Sequence, residues 1–413
     1  MSNQELIVSL DLGTKNTRVI IGEVSNGTLN IVGVGSAESL GMKKGSIVDI
    51  DQTVESIRQA INHAERMVGV QIEEVYVGVS GNHIALQTNQ GVVAVSNEDR
   101  EIGYEDIDRV MDAAKIVTLP PEREIIDVMA RQFIVDGLEE IQDPRGMIGV
   151  RLEVEATVVT GAKTAIHNIE RCVEKAELRL AGKILMPLSA GETVLTKDEK
   201  MMGTALVDIG AGITTIAIYD QGHLVHTTSL PVGGESITND IAYGFKTQTD
   251  FAEKLKVKYG CALVTDAAKD LLFKIPNRMN SKEQPDKEYT QIDLAEMIEP
   301  RVEEIFQLIR QETTRLGYRE LTGGYVLTGG TVQMPGVIQL AQEVLHSPVR
   351  VAVPDYIGVR DPAFTGGVSI INYVQKNARG RAVGSARVAS RKSGVSRSGN
   401  WSEKLKAFFS DFI

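Results

Sequence analysis

The sequence predicts an α/β protein built as two similar lobes closing on a cleft. Three stretches carry that prediction. The first runs from Val8 to Gly22. Leu6 to Leu10 are mostly apolar, Asp11 ends the run, Gly13 marks a tight turn and Val19-Ile20-Ile21 begin a second strand. The second stretch, Val207 to Ile218, repeats the plan, with Asp208 for Asp11, Gly210 for Gly13 and Thr214 for Thr17. The third is an apolar strand, Tyr325-Val326-Leu327-Thr328, that runs into Gly329-Gly330.

Each stretch taken alone fits an ordinary hairpin or loop; their recurrence in one chain points to a ligand. A glycine turn brings backbone close to a bound group. The N–H groups around Gly13, Thr14, Lys15 and Asn16, the Thr14 and Thr17 hydroxyls and the nearby Arg18 suit phosphate oxygens. Gly210, Ala211, Gly212 and Thr214 offer the same from the opposite lobe. Asp11 and Asp208, each at a strand end, can hold Mg²⁺ through water. Gly329 and Gly330 let backbone approach a flat ring such as adenine. The expected ligand is therefore a nucleotide with Mg²⁺.

The chain has 413 residues, enough for two to three domains, and 42% hydrophobic residues, enough for large cores. Its formal charge of −11 argues against general nucleic-acid binding. Cys172 and Cys261 show neither metal spacing nor a disulfide framework, and together with the absence of a signal-like start they point to the cytosol. No apolar run reaches the ~18–20 residues that a spanning helix needs.

Along the chain, Thr28 to Gly35 reads as a third strand. Val54, Ile57, Ala60, Ile61, Ala64 and Met67 have helical spacing, and Val75 to Gly81 is a strand. From about Ile84 to Thr164 the pattern becomes a small α+β insertion: a strand at Val92–Val95, a helix at Asp106–Ile116, and strands at Ile125–Val135 and Arg151–Thr160. A helix over Ala165–Leu178 follows. In the second lobe, Leu230 to Glu235, with Gly234 a candidate nucleotide contact, enters a helix through Ile241, and Phe251 to Tyr259 is another. On the latter, Glu253 and Lys256 lie on adjacent faces, where they either touch ribose and base or form part of a solvated charged face. Asn277 to Tyr289 reads as a loop, Leu294 to Leu316 as a long amphipathic helix, and Pro335-Gly336 as the opening of another. The globular pattern stops at Ile371.

Residues 375–402 carry Lys376, Arg379, Arg381, Arg387, Arg391, Lys392 and Arg397 with no acidic residue, as a basic linker would. About 25 flexible residues span only ~25–30 Å. The last stretch places Trp401, Leu405, Phe408, Phe409, Phe412 and Ile413 on one side of a helical wheel. It holds the chain's single Trp and three of its nine Phe. Basic linker and aromatic face together favour an amphipathic helix on an anionic membrane surface over a protein-binding peptide.

The three motifs, in this order, resemble the phosphate 1, phosphate 2 and adenosine motifs of the actin, Hsp70 and sugar-kinase superfamily. With the insertion, basic linker and terminal helix added, the whole chain resembles the bacterial FtsA family. That resemblance implies an actin-like fold of duplicated ribonuclease-H-like domains. It implies subdomain 1A at 1–83 and 164–198, an inserted subdomain 1C at 84–163, 2A at 199–229 and 302–374, and 2B at 230–301. The linker is 375–400 and the membrane-targeting helix 401–413. It further implies ATP binding and actin-like filaments on the inner face of the cell membrane at the division site. The tubulin-like FtsZ would dock its C-terminal peptide on 2B, where Lys254, Lys256, Lys258 and Arg301 offer positive charge. Other division proteins would be reached through 1C. Hydrolytic relatives carry Gln, Glu or Asp near the segment Leu185–Ser189; this chain has Met186, so weak or no ATPase activity is expected. The alternatives are a pilus-assembly ATPase of the same fold, against which the aromatic tail argues, and a sugar kinase, which would need a carboxylate base and no such tail.

Overall fold

The computed structural model describes residues 5–25, 27–276 and 287–378. The basic linker and the tail helix expected over 401–413 lie outside the described residues.

The first lobe begins with β1 (Glu5–Leu12), β2 (Asn16–Ser25) and β3 (Thr28–Glu38), followed by a short ribbon of β4 (Met42–Lys43) and β5 (Ser46–Ile47). Helix α1 (Ile50–Val68) starts where the Asp49 carboxylate accepts from Gln52 N at 2.9 Å and stops at Gly69, whose φ of 75° favours glycine. Strand β6 (Glu74–Val79) returns to the sheet.

The insertion comprises β7 (Ala85–Ala94), α2 (Tyr104–Ala114), β8 (Arg123–Val135), β9 (Leu138–Ile141) and β10 (Arg151–Ala162). These make a separate sheet in the order β7-β10-β8-β9, with α2 packed over it around Val110, Met111, Leu152 and Val154. Then come α3 (Lys163–Lys175), β11 (Arg179–Leu185), α4 (Met186–Val194) and α5 (Lys197–Met202).

The second lobe has β12 (Thr204–Ile209), β13 (Thr214–Asp220), β14 (His223–Leu230), α6 (Gly234–Gly244) and α7 (Thr249–Tyr259). The pair β15 (Leu272–Ile275) and β16 (Lys287–Thr290) leads into α8 (Gln291–Arg315). Strand β17 (Tyr325–Thr328), helix α9 (Val337–Leu345) and strand β18 (Val349–Val351) complete it, and helix α10 (Thr365–Ala378) closes the described chain.

The duplication is written in the sheets. The first runs β3-β2-β1-β6-β11 and the second β14-β13-β12-β17-β18. In each, the central strand pairs antiparallel with the next strand in sequence and parallel with a later one. The carboxyl ends of β1 and β12 thereby face the gap between lobes, where open α/β sheets place ligands.

Several expected boundaries shift. Strand β7 begins at Ala85, well before Val92, because Ala85 to Ala94 pair along β10. The helix expected to run to Leu178 ends at Lys175, since Arg179 already pairs with Glu74 in the first sheet. Lys287 to Tyr289, expected in a loop, form strand by pairing with β15. The globular pattern does not stop at Ile371. Helix α10 continues to Ala378, and its Val368, Ile370, Ile371 and Val374 pack with Ile7, Ile20 and Tyr76. That cluster belongs to the first lobe, so the second-lobe segment expected to reach 374 gives up its last helix to the first sheet.

Candidate functional site

The two turns are built alike. Across the first, Asp11 pairs with Arg18 and Leu12 with Thr17; across the second, Asp208 pairs with Thr215 and Ile209 with Thr214. A Cβ on Gly13 would lie 2.7 Å from Asn16 O, so the turn admits no side chain there. Gly210 N donates to Ile213 O at 3.0 Å and closes the second turn.

The turns meet. A Cβ on Gly212 would stand 2.6 Å from Thr14 Cγ2, and Thr14 Oγ1 accepts from Gly45 N at 3.0 Å. The adenosine-type segment joins the second turn, because Thr331 Oγ1 donates to Gly210 O at 3.1 Å. The start of α6 joins it as well, with Gly234 N donating to Gly210 O and Glu235 N to Ala211 O, both at 2.9 Å. Asp208 Oδ1 would be 2.3 Å from a Cβ on Gly329, whose φ is 92°. Gly329 therefore fits for two reasons, backbone conformation and contact with the carboxylate. Gly330 follows it at the start of a short 3-10 turn.

Burial pushes the Asp11 carboxyl up, with the Arg18 guanidinium opposing. Asp208 is pushed up to about 6, first by burial and then by the charge of Asp11, again against Arg18. Two carboxyls held above their ordinary range, one of them partly by the charge of the other, make a site that gains from a cation between them. Arg18 is held with its guanidinium 5.5 Å from the centre of the Phe364 ring. Lys15 pairs loosely with Glu38 at 3.6 Å and stays 39% exposed at the rim, free to swing toward a ligand.

Not every expected side chain faces the gap. Thr17 and Thr214 are fully buried. Thr17 Oγ1 bonds Ser39 Oγ at 2.8 Å and Thr214 Oγ1 donates to Val232 O at 2.9 Å. Both brace their turns, and neither hydroxyl is presented to a phosphate. Glu253 and Lys256 are an ion pair at 2.7 Å, not a solvated face. Lys256 Nζ also donates to Thr238 Oγ1 at 2.8 Å and to Gly234 O at 3.0 Å. Its three donors are thus used. Burial pulls its pKa down against the pull of Glu253. Burial raises the Glu253 carboxyl, but the Lys256 ammonium and its hydrogen bonds outweigh that and hold it low. Lys15, from the other lobe, acts on both by charge. The pair lies beside the cleft as a fixed support for Gly234. Arg301, expected to be open to an acidic peptide, makes a forked ion pair with Asp240 and also contacts Glu304.

Met186 opens α4, and its side chain lies against Gly78 and Gly366; a Cβ on Gly366 would be 2.4 Å from Met186 Cε and 3.3 Å from Asp11 Oδ2. A thioether therefore stands next to the carboxylate at this point. Sequence reasoning missed Gly45, Thr331 and Gly366. The Gly366-Gly367 doublet was the available signal for the last of these; nothing local marks the other two.

The chain matches the description "Cell division protein FtsA" over residues 205–369 and "SHS2 domain inserted in FTSA" over residues 81–160. It is 52% identical over 386 residues to the cell division protein FtsA of Bacillus subtilis, covering 93% of this chain and 87% of that one. It is 41% identical to that of Pseudomonas aeruginosa, covering 92% of each, and 35% identical to that of Escherichia coli K12, covering 98% and 99%. Among solved structures it is similar in fold to a PilM–PilN type IV pilus biogenesis complex (TM-score 0.62, 14% identity, 89% of this chain and 98% of that one). It is similar also to MreB5 of Spiroplasma citri bound to ADP (0.55, 13%, 91% and 98%) and to a MamK double helical filament (0.51, 14%, 90% and 98%). With the doubled sheet, the paired turns and the inserted four-stranded domain already described, these matches establish that the chain belongs to the FtsA family of cell division proteins, on an actin-like fold.

Proposed function

We propose that this protein binds ATP with Mg²⁺ between its lobes, assembles into actin-like filaments on the inner membrane face, and ties FtsZ to that membrane during division. The observation that carries the nucleotide reading is the placement of a buried Asp11 and a half-buried Asp208 on opposite sheets, beside two glycine turns in contact. Among the described residues no group of three or more His, Cys, Asp or Glu could hold a metal ion. Two carboxylates suit Mg²⁺ held through water and shared with phosphates. Bound there, the ion would neutralise phosphate charge. Lys15 and Arg18 add positive charge from the first lobe. The ADP-bound relative of the same fold supports a nucleotide in this gap. Calorimetry with ATP tests the reading: tight, Mg²⁺-dependent binding is expected, and no heat with or without Mg²⁺ would overturn it.

Hydrolysis is expected to be slow. Met186 has no group to orient a water beside Asp11, and lost positioning accounts for several kcal/mol of barrier. Phosphate release by the purified protein should stay well below that of actin-type filaments, and Met186→Gln should raise it.

Membrane attachment follows from the tail. No helix among the described residues is long and apolar enough to cross a membrane. Trp401, Leu405, Phe408, Phe409, Phe412 and Ile413 would lie in the interface, helped by the basic linker. One tail binds weakly, because partial burial must offset about 1–2 kcal/mol of backbone entropy per residue. Many tails on one filament bind firmly. The variant carrying Phe408→Glu and Phe412→Glu should leave anionic liposomes at any salt. If it co-sediments like the wild type, the tail serves another purpose. The FtsZ peptide is assigned to residues 230–301. Because Arg301 is already paired, an acidic peptide there would exchange partners with Asp240 and Glu304. Self-association is supported by the filament-forming relative, and the insertion is the surface left for other division proteins.

A further inference from the structure

A cavity of about 210 Å³ lies away from the nucleotide gap, where the insertion, the second lobe and α10 come together. Its walls include Arg131 of β8, Thr157 of β10, Glu192 of α4, His223 of β14, and Lys376 and Asn377 of α10. Three separate parts of the fold thus contribute polar groups to one space.

The charges do not cancel. Glu192 is neutralised by Lys200 at 2.8 Å. Among the described residues Lys376 Nζ donates to the backbone oxygen of Glu192 alone, at 3.2 Å, which is a neutral acceptor. Arg131 makes no hydrogen bond or ion pair among the described residues. Among the described residues Arg131 and Lys376 therefore face the cavity without an ion pair of their own, with Glu155 the further carboxylate whose charge acts on His223 there.

We propose that this cavity binds the phosphate group of a small phosphate ester. The donors come from different walls, which suits a tetrahedral oxyanion better than a flat carboxylate. A guanidinium presents a fork matched to phosphate oxygens. The volume lies below the ~300–1,000 Å³ of drug-sized sites, so the ester substituent is short or extends outside. The site is independent of the nucleotide reading above.

His223 supplies a reporter. Burial lowers its pKa, Arg131 and Lys200 lower it further, and Glu155 and Glu192 oppose them. A bound phosphate would offset the two cations and raise it.

The test uses the full chain saturated with ATP, with the His223 imidazole followed by NMR across a pH range. Inorganic phosphate, glycerol 3-phosphate and dihexanoyl-phosphatidylglycerol below its micelle concentration are titrated in turn. The expected result is a saturable rise of about tenfold in His223 proton affinity. It should be lost in Arg131→Gln and weakened in Lys376→Gln, an exposed position where folding is not at risk. A response to phosphate and glycerol phosphate identifies a free ester; a response to the short-chain lipid alone identifies a headgroup. No saturable response to any probe, or equal affinity in wild type and Lys376→Gln together with folded Arg131→Gln, overturns the proposal.

Discussion

The two turns that face each other across the gap share a plan and differ in substance. The first, Gly13 to Arg18, carries charge: Lys15 at the rim and Arg18 paired across the strands with Asp11. The second, Gly210 to Thr214, is Gly-Ala-Gly-Ile-Thr and carries none. What it offers is room and backbone. Gly212 accepts Thr14 against it, while the Gly210 and Ala211 carbonyls anchor α6 and Thr331. A duplicated hairpin has thus divided its labour. One copy brings positive charge to the gap, and the other supplies a surface on which three segments register.

The largest expected effect tests that division directly. A Cβ on Gly210 would stand 3.1 Å from Ile213 O, tight but tolerable, whereas one on Gly13 meets backbone at 2.7 Å. Gly210→Asp should keep the fold and lose ATP affinity by at least about 100-fold, since it adds a third carboxylate near Asp11 and Asp208. Gly13→Ala should instead destabilise the protein by about 1–3 kcal/mol. Calorimetry and thermal melts on both variants read the difference; if Gly210→Asp binds ATP like the wild type, the gap has been misassigned.

A smaller contrast separates Lys15 from Lys256. Lys15→Ala should weaken ATP binding by about 10–100-fold, the worth of a charged hydrogen bond. Its stability should barely move, since an exposed ion pair contributes about 0–1 kcal/mol. Lys256→Ala strands Glu253 and should cost about 2–4 kcal/mol of stability. Equal melting temperatures for the two variants would erase the distinction between a ligand-facing lysine and a bracing one.

The smallest effect concerns pH. Asp208 in the folded, nucleotide-free protein binds a proton up to about pH 6, above its ordinary value of 3.8. Between those values the folded state holds a proton that the unfolded chain has released. Stability should therefore rise as pH falls from 7 toward 4, with Asp11 acting in the same direction. Asp208→Asn should raise stability at pH 7.5 by roughly 1–3 kcal/mol and flatten this dependence. A wild-type melting temperature that falls from pH 7 to 5 in parallel with that of Asp208→Asn would count against the coupled pair.

The fold was largely readable because apolar alternation and glycine placement are local signals. Asp11, Gly13, Asp208, Gly210 and Gly329 all stand out by residue type and repetition. What was not readable depends on contacts distant in sequence. Thr17 and Thr214 looked like ligands until the structure showed each hydroxyl turned into its own lobe, toward Ser39 and Val232. Lys256 looked like a free cation because its partners Thr238 and Gly234 lie 18 and 22 residues away. The end of the globular region was misread because α10 is amphipathic only with respect to a sheet made by the first residues of the chain.

The seating of α10 has a mechanical consequence. The helix closes the described chain, and the basic segment leaves from its end. It packs on β1, β2, β6 and α4, all parts of the first lobe. At 1.5 Å per residue its 14 residues reach about 21 Å, starting at Thr365, beside the Gly366 that touches Asp11. The end of the described chain is therefore held by the first lobe and not by the second. Any movement of residues 230–301 against the first lobe would leave that exit point of the chain in place.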